Sequence, residues 1–383
     1  MIERRFADVT IIGGGVAGCA AAVALRRAGM SVVLLEKGMC GAGASGVNFG
    51  GVRQQGRNLA ELPLARRSRA IWDKLNDMLG EDVEFEATGH IKLARSEADM
   101  AELEGYARDA AEYGLRLQML GANAVRAELP WLGEKVVGAS LCAEDGAANP
   151  RLVGPAFARL ARRLGAEVRE HSPATAAEHD GARFETRTEA LTVVSRFLVN
   201  AAGVGAGKVA AWFEEDVPLD PVVPNMLVTE PLPVFVTRSV GVCGGDVYVR
   251  QVSRGNVIMG GGRGWGDADL RWSRPTTDQS FTGMAKTLDL VPALRGAHII
   301  RTWAGIDGQM PDRIPVIGFS KTTPNLVHAF GFSGHGFQLG PAVGAILAEL
   351  ISEGRSASPL EPFAITRFAG ATAAPAGPAG VEH

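Results

Sequence analysis

Gly13, Gly15 and Gly18 stand in the segment DVTIIGGGVAGCAAAVAL, after a short apolar run and before an alanine-rich stretch with helical spacing, and Glu36 closes the next apolar run, SVVLLE. These residue types at these intervals suit the grip of a dinucleotide. Gly13 permits a tight strand-to-helix turn, Gly15 lets the backbone approach a pyrophosphate, and Gly18 lets helix and sheet pack closely. The helix N-terminus offers free N–H groups and a positive dipole end to the phosphates. An acid about 20 residues further on accepts both hydroxyls of an adenosine ribose and disfavours a 2′-phosphate. The strand, glycine turn, helix, second strand and acid fall in the order that such a unit requires.

A second strand–glycine turn–helix pattern closes the chain, in HAFGFSGHGFQLGPAVGAILAELI. Its helix would start near residues 336–339, and its N-terminus suits the negative charge that a reduced flavin gathers at N1 and C2=O. Two helix N-termini would then serve one cofactor.

The elements that must position these turns are those of a large globular chain. Of its 383 residues 46% are hydrophobic, enough for two domains or an interleaved pair. Lys and Arg number 39 against 42 Asp and Glu, which gives a net charge of -3 and no electrostatic footprint for nucleic acid or an anionic membrane. Neither a signal peptide nor a membrane span is written near the N-terminus, so a cytoplasmic location is expected. Cys19, Cys40, Cys142 and Cys243 are widely spaced, so no zinc site, redox pair or iron–sulfur centre is expected.

After the first unit, GAGASGVNFGGVRQQGRN reads as an irregular loop over a ligand and LAELPLARRSRAIWDKLNDML as helix. EFEATGHIKLA reads as a hairpin, SEADMAELEGYARDAAEYG as a helix capped by Ser96 with Asp99 three residues on, and NAVRAELPWL as a short helix stopped by Pro130. NPRLVGPAFARLARRLGA returns to helix, AEVRE is a strand, and FETRTEALTVVSRFLVNAAG is a hairpin. From Pro218 to Asp312 the chain reads as a strand meander. The fold class expected is α/β: a discontinuous dinucleotide domain over 1–85, 145–217 and 313–362, a β-rich second domain over 86–144 and 218–312, and a flexible tail over 363–383. GVGAGKV at 203–209 lacks the early glycine and the hydroxyl after Lys208 of a phosphate-binding P-loop, and GGGRGWG at 260–266 reads as a strand end.

GGGVAGCAAAVALRRAG with Glu36, LVNAAG at 198–203, WAGI with MPDRIPVIG at 303–318, and GFSGHGFQLGPAVG at 331–344 together resemble the D-amino acid oxidase superfamily of FAD enzymes. The similarity is greatest to the branch with glycine and sarcosine oxidases and the flavoprotein β subunits of proline dehydrogenase, opine oxidase and hydrogen cyanide synthase. It implies a GR2-type FAD domain interleaved with an antiparallel-sheet substrate domain. By position, Gly13, Gly15, Val16, Ala17 and Gly18 hold the pyrophosphate, and Glu36, followed by Lys37, holds the adenosine ribose. Ala44, Ser45 and Gly46 lie in the phosphate and flavin loop, and Ala174 touches adenine through its backbone. Asn200, Ala201, Ala202 and Gly203 line the cofactor; Gly334, His335, Gly336, Phe337 and Gln338 meet the pyrimidine edge of the flavin. Noncovalent FAD is expected.

The reaction implied is hydride removal from a carbon that bears an amine, giving an imine that water hydrolyses. The resemblance places Tyr248, in GDVYVRQV, against a substrate carboxylate. Glycine oxidases carry an arginine after the WAGI-like segment where this chain has Asp307, so either another arginine grips the acid or the substrate turns a basic group toward Asp307. Arg53, in the loop over the flavin, is the first candidate anchor, with Arg250 and Arg263 as alternatives. His335 either tunes flavin N1, helps shed the ammonium proton or makes a backbone hydrogen bond. The partners expected are a small amine or amino acid and either oxygen or an electron-carrier protein, in a homo- or hetero-oligomer. A relay subunit, or a flavin monooxygenase without the GD motif of those families, are the other readings.

Overall fold

A computed structural model describes residues 3–267 and 272–368. The opening strand, Glu3–Ile12, lies at the centre of a sheet whose order is Val316–Phe319, Leu326–Phe330, Leu191–Asn200, Glu3–Ile12, Val32–Leu35, Glu167–Arg169. All neighbours in that path run parallel except the outermost pair, Val316–Phe319 with Leu326–Phe330. The central strands are apolar on both faces, as a buried parallel sheet requires. The glycine turn and the end of Leu191–Asn200 therefore emerge side by side at the carboxyl ends of adjacent strands, where open α/β sheets bind ligands.

Three helices cover one face. Val16–Arg27 packs against Pro150–Arg163 and against Gly336–Glu353. The last approach is close: a Cβ on Gly340 would come within 2.5 Å of Val16 and one on Gly344 within 2.5 Å of Ala20. Glycine there lets the two helices that start at the site lie nearly backbone to backbone. Asn149 caps Pro150–Arg163 through its side-chain oxygen and the Arg151 N–H.

The second sheet takes strands from two parts of the chain, in the order Ile299–Ala304, Pro224–Pro231, Asn256–Arg263, Tyr248–Gln251, Ser239–Val242, His90–Ala94, Gly138–Cys142, Gln118–Gly121. Its pairs are antiparallel, apart from Ser239–Val242 beside His90–Ala94. One face is apolar: Ile91, Leu93, Leu141, Leu227, Val240, Val249 and Met259 pack beneath the elements that carry Val125, Leu290 and Leu294. Alternation along each strand turns the other residues toward the first sheet's loops. Register aligns Trp303, Met226, Gly260, Tyr248, Gly241, Lys92 and Ser140 across that face.

Several expectations need correction. EFEATGHIKLA forms no hairpin: Glu84 and Gly89 have positive φ, and His90–Ala94 pairs instead with Gly138–Cys142 and Ser239–Val242. The stretch 218–312 is not all strand, since Thr277–Leu290 is a helix packed on Asn256–Arg263, and Pro224–Pro231 lies between Asn256–Arg263 and Ile299–Ala304 rather than in meander order. The tail does not begin at 363, because Phe363 and Ile365 are buried and Arg367 pairs with Asp312. Residues 369–383 lie outside the described part. Ser96 does cap Glu97–Glu112, accepting from the Asp99 N–H, while Asp99 accepts from the Arg95 N–H.

Candidate active site

Gly13 adopts φ +111°, and a Cβ there would fall 2.2 Å from the Ala201 carbonyl oxygen. Gly18 faces the same turn, its missing Cβ leaving room for the Gly13 carbonyl oxygen at 2.0 Å. The helix that follows has no acid in its first turn, and Ser45 Oγ accepts from the Val16 N–H at 3.0 Å. Glu36 accepts from the Gly14 N–H at 2.6 Å and the Gly38 N–H at 2.7 Å, which fixes its carboxylate beside the turn. The Ser172 N–H donates to the Glu36 carbonyl, bringing the segment that carries Ala174 alongside. Gly46 closes the short helix Ala44–Val47 against Gly41. An open helix N-terminus, a fixed ribose-type acid and glycines where Cβ atoms would fill the cradle suit the adenosine and pyrophosphate of FAD.

At the other end, Gly334 has φ +85° and His335 precedes the helix Gly336–Glu353. Three of the expected contact residues turn their side chains elsewhere. Phe337 packs against Trp72 at 5.2 Å between ring centres, Gln338 is fully buried and donates to the Ala65 carbonyl, and Asn200 is fully buried and donates to the Ala206 carbonyl. That leaves the backbone at 336–338, the first turn of the helix, for any ligand contact in this segment. The Lys37 side chain is exposed, Ala202 is half-buried, and Gly203 has φ +58°.

The loop after Ser45 is tied to the second sheet. Trp303 Nε1 donates to the Val47 carbonyl at 2.8 Å, Arg250 Nε to the Phe49 carbonyl at 2.6 Å, and Gln55 Nε2 to the His90 carbonyl at 2.5 Å. Buried Asp145 accepts from the Gln54 and Gln55 N–H groups. These bonds leave Arg53 half-buried, with Nη1 on the Gln55 carbonyl at 2.6 Å. Burial lowers its pKa, opposed by Asp145, Tyr106 and Glu61. Tyr248 lies flat on Gly260, edge-on to Phe49 at 4.9 Å between ring centres. Burial pushes its hydroxyl up to about 12, so the hydroxyl stays protonated and able to donate.

Asp307 receives a different task from the one expected. Its Oδ2 accepts from the Gly334 N–H at 2.6 Å, so this acid braces the glycine turn. Arg250 is bound to the Phe49 carbonyl beside a cavity of about 360 Å³ that the loop and the sheet share, and Arg263 is exposed. Arg250 also lies over the Phe49 ring that Tyr248 touches, whereas Arg53 is the one of the three arginines whose charge reaches His335.

Sequence reasoning missed Glu61 and Arg57. Both Glu61 oxygens lie on His335 Nδ1, at 3.0 and 2.9 Å, with Glu61 fully buried. Arg57 is 3% exposed, and its Nη1 has no hydrogen-bond partner among the described residues. Asn58 followed three residues later by Glu61 reads as an ordinary capping box, and Asn58 does cap, accepting from the Ala60 N–H. The capping signal conceals the carboxylate's second partner.

Burial pushes His335 down to about 4, Arg57 pushing the same way and Glu61 against it. Burial pushes Glu61 up, but the bond to His335, with Arg57, outweighs it and holds the carboxyl below its usual 4.5. Above pH 6.5 His335 is neutral in both folded and unfolded chains and contributes nothing to pH dependence. Between there and about 4 the unfolded chain binds a proton that the folded chain refuses, so stability falls with pH, by on the order of 3 kcal/mol at the foot of the window. Buried His90, also lowered, acts in the same direction, as does Glu61 further down. Asp145, raised by burial, opposes them. Urea midpoints at about pH 7.5 and about pH 5 should therefore drop on acidification, and His335→Gln should shrink the drop.

The fold and both cofactor-facing turns define an FAD-linked oxidoreductase. Residues 8–350 match the DAO family, described as FAD dependent oxidoreductase, and the chain belongs to that family. Glycine oxidase of Geobacillus kaustophilus is 27% identical over 95% of this chain and 97% of its own length. An opine oxidase subunit of Rhizobium meliloti is 28% identical over 94% and 97%. The crystal structure of L-proline dehydrogenase from P. horikoshii superposes with a TM-score of 0.88 at 26% identity, covering 96% of this chain and 99% of that one. Among the described residues no helix is long and apolar enough to cross a membrane, and no cluster of side chains suits a metal ion.

Proposed function

We propose that this chain oxidises the C–N bond of an amino acid or a secondary amino acid, with FAD as the electron acceptor. FAD supplies the chemistry when bound: it takes the hydride from the carbon next to nitrogen. The chain's residues bind and orient. Gly13, Gly15 and the helix start at Val16 hold the pyrophosphate, Glu36 the ribose, and the backbone of Gly334–Gln338 the electron-rich edge of the ring. Arg53 and Tyr248 hold the substrate carboxylate, which presents the amine-bearing carbon to the ring; water completes the hydrolysis of the imine after release.

The observation that supports this reading is that the loop carrying Arg53 also carries Phe49, whose ring touches Tyr248. Phe49, edge-on to Tyr248, sits four residues before Arg53, and the loop is fastened to the sheet at Val47 by Trp303, at Phe49 by Arg250 and at Gln55 by His90. In this reading the half-buried Arg53 guanidinium supplies the paired donors for the carboxylate and the protonated Tyr248 hydroxyl a further one. Glycine oxidase and the opine oxidase subunit lie at similar identity, which supports a free oxidase and a relay subunit alike.

The test is anaerobic reduction of the purified yellow protein by glycine, sarcosine, proline, D-amino acids and opines, followed by turnover with oxygen and with an artificial acceptor. Bleaching by one of them is the expected result; a flavin left oxidised by all of them sinks the proposal. Arg53→Lys should raise KM for the active compound about tenfold with FAD content unchanged, since lysine keeps the charge but loses the paired donors. An unchanged KM would move the anchor elsewhere.

A further inference from the structure

The carboxylate behind His335 fixes which of its two nitrogens carries the proton. Glu61 is fully buried and both its oxygens face Nδ1, while Nε2 makes no hydrogen bond among the described residues and is not sealed in the interior; the side chain keeps 15% exposure. An ionised carboxylate accepts only, so the imidazole must donate from Nδ1 and leave its lone pair on Nε2. The backbone that carries His335 is held as well. Its N–H is held by the Phe332 carbonyl at 2.8 Å, the next residue opens Gly336–Glu353, and the preceding Gly334 N–H is held by Asp307. The charges around the ring are Arg57 and Arg53 on the loop, Glu61 at the start of Leu62–Trp72, and Asp307 by Gly334.

Resting on the functional reading above, we propose that Glu61 is a positioning residue that holds His335 as a fixed hydrogen-bond acceptor for the N–H of the substrate amine, and so selects primary and secondary amino acids over tertiary ones. A neutral primary or secondary amine carries the N–H that Nε2 accepts. A neutral tertiary amine carries none, and leaves both its own bulk and the Nε2 lone pair unmatched. The same arrangement makes His335 a poor proton sink, because burial and Arg57 disfavour its charged form. Its contribution is orientation: the amine is gripped at one N–H while Arg53 and Tyr248 grip the carboxylate, which fixes the intervening carbon.

Glu61→Gln breaks the logic without removing bulk. The amide can donate to Nδ1, which moves the imidazole proton to Nε2 and turns the acceptor into a donor that opposes the amine N–H. Glu61→Asp keeps an acceptor-only partner and should restore the wild-type behaviour in part. The experiment uses the FAD-loaded protein and whichever of sarcosine, proline and iminodiacetate reduces it fastest, together with the N-methylated form of that compound. Expected for the wild type is rapid reduction by the secondary amine and a KM at least tenfold higher for the tertiary one. In Glu61→Gln the KM for the secondary amine should rise about tenfold and the preference between the two should shrink, with the FAD content and the reduction by dithionite unchanged.

A readout independent of turnover is the tautomer, taken from 15N-histidine-labelled protein: Nδ1–H and a bare Nε2 for His335 in the wild type, reversed in Glu61→Gln. The opposite tautomer in the wild type overturns the proposal. So does a Glu61→Gln enzyme that discriminates as before, or one that changes only the flavin spectrum, which would put Nε2 against the ring. Should neither these three amines nor glycine, the D-amino acids and the opines reduce the flavin, the functional reading fails and carries the amine contact with it; the tautomer spectrum distinguishes that failure from a failure of the Glu61–His335 pair.

Discussion

Gly13→Ala is expected to yield little folded protein, and what folds should lack the yellow of FAD. The added Cβ would sit 2.2 Å from the Ala201 carbonyl oxygen and 2.6 Å from its carbon. Both atoms are backbone, so no rotamer relieves the overlap. Nor can Ala201 retreat, because its N–H is bonded to the Ile12 carbonyl at 2.9 Å in the parallel pair that forms the sheet's centre. The residue also keeps φ +111°, where an L side chain is strained. Strain and overlap together cost about 3–5 kcal/mol, a large part of the roughly 5–15 kcal/mol that holds a typical domain. Gly29→Ala is the control, since Gly29 has φ +81° and open space around it, so that only the strain applies. The measurement is the ratio of flavin to protein absorbance with the thermal midpoint. A Gly13→Ala protein that is yellow and as stable as the Gly29→Ala protein would show that the turn tolerates a side chain.

Gly260→Ala should do the reverse, leaving FAD and fold in place while damaging the binding of substrate. The new methyl would lie 1.7 and 1.8 Å from two carbons of the Tyr248 ring, its partner across the strand pair. The far end of a side chain can move, so the ring should swing off the strand and lose its edge contact with Phe49. Tyr248 would then no longer present its hydroxyl to the proposed carboxylate. Loss of a hydrogen bond to a charged group costs about 1.5–3 kcal/mol, which is roughly a ten- to hundredfold rise in KM. Tyr248→Phe removes the hydroxyl without moving the ring and should match it. Equal KM values for Gly260→Ala and the wild type would show that the ring's seat is not what binds the substrate.

The strand–glycine turn–helix–strand unit was legible in the sequence because its geometry is local. Gly13, Gly18 and Glu36 act within one strand–helix–strand unit, so their spacing is set by helix and strand dimensions. Asp145 under Gln54, Glu61 behind His335 and Gly260 under Tyr248 were hidden for different reasons. Glu61 and His335 are 274 residues apart in the chain, and Asp145 reaches back 91 residues to Gln54. Gly260 is adjacent to Tyr248 only because two strands pair in one register. The helix Thr277–Leu290 escaped because TDQSFTGMAKTLDL places Thr, Ser and Gly among its few apolar residues. Asp307 shows what a residue type alone leaves out: an acid where an arginine was expected suggested a basic substrate group, and the structure adds a backbone N–H as its partner.

The close seating of Gly340 on Val16 and of Gly344 on Ala20 has a consequence for biosynthesis. The glycine turn is synthesised long before its supporting partner, Gly336–Glu353. The nucleotide cradle therefore gains its full scaffold only once that distant helix has also been made.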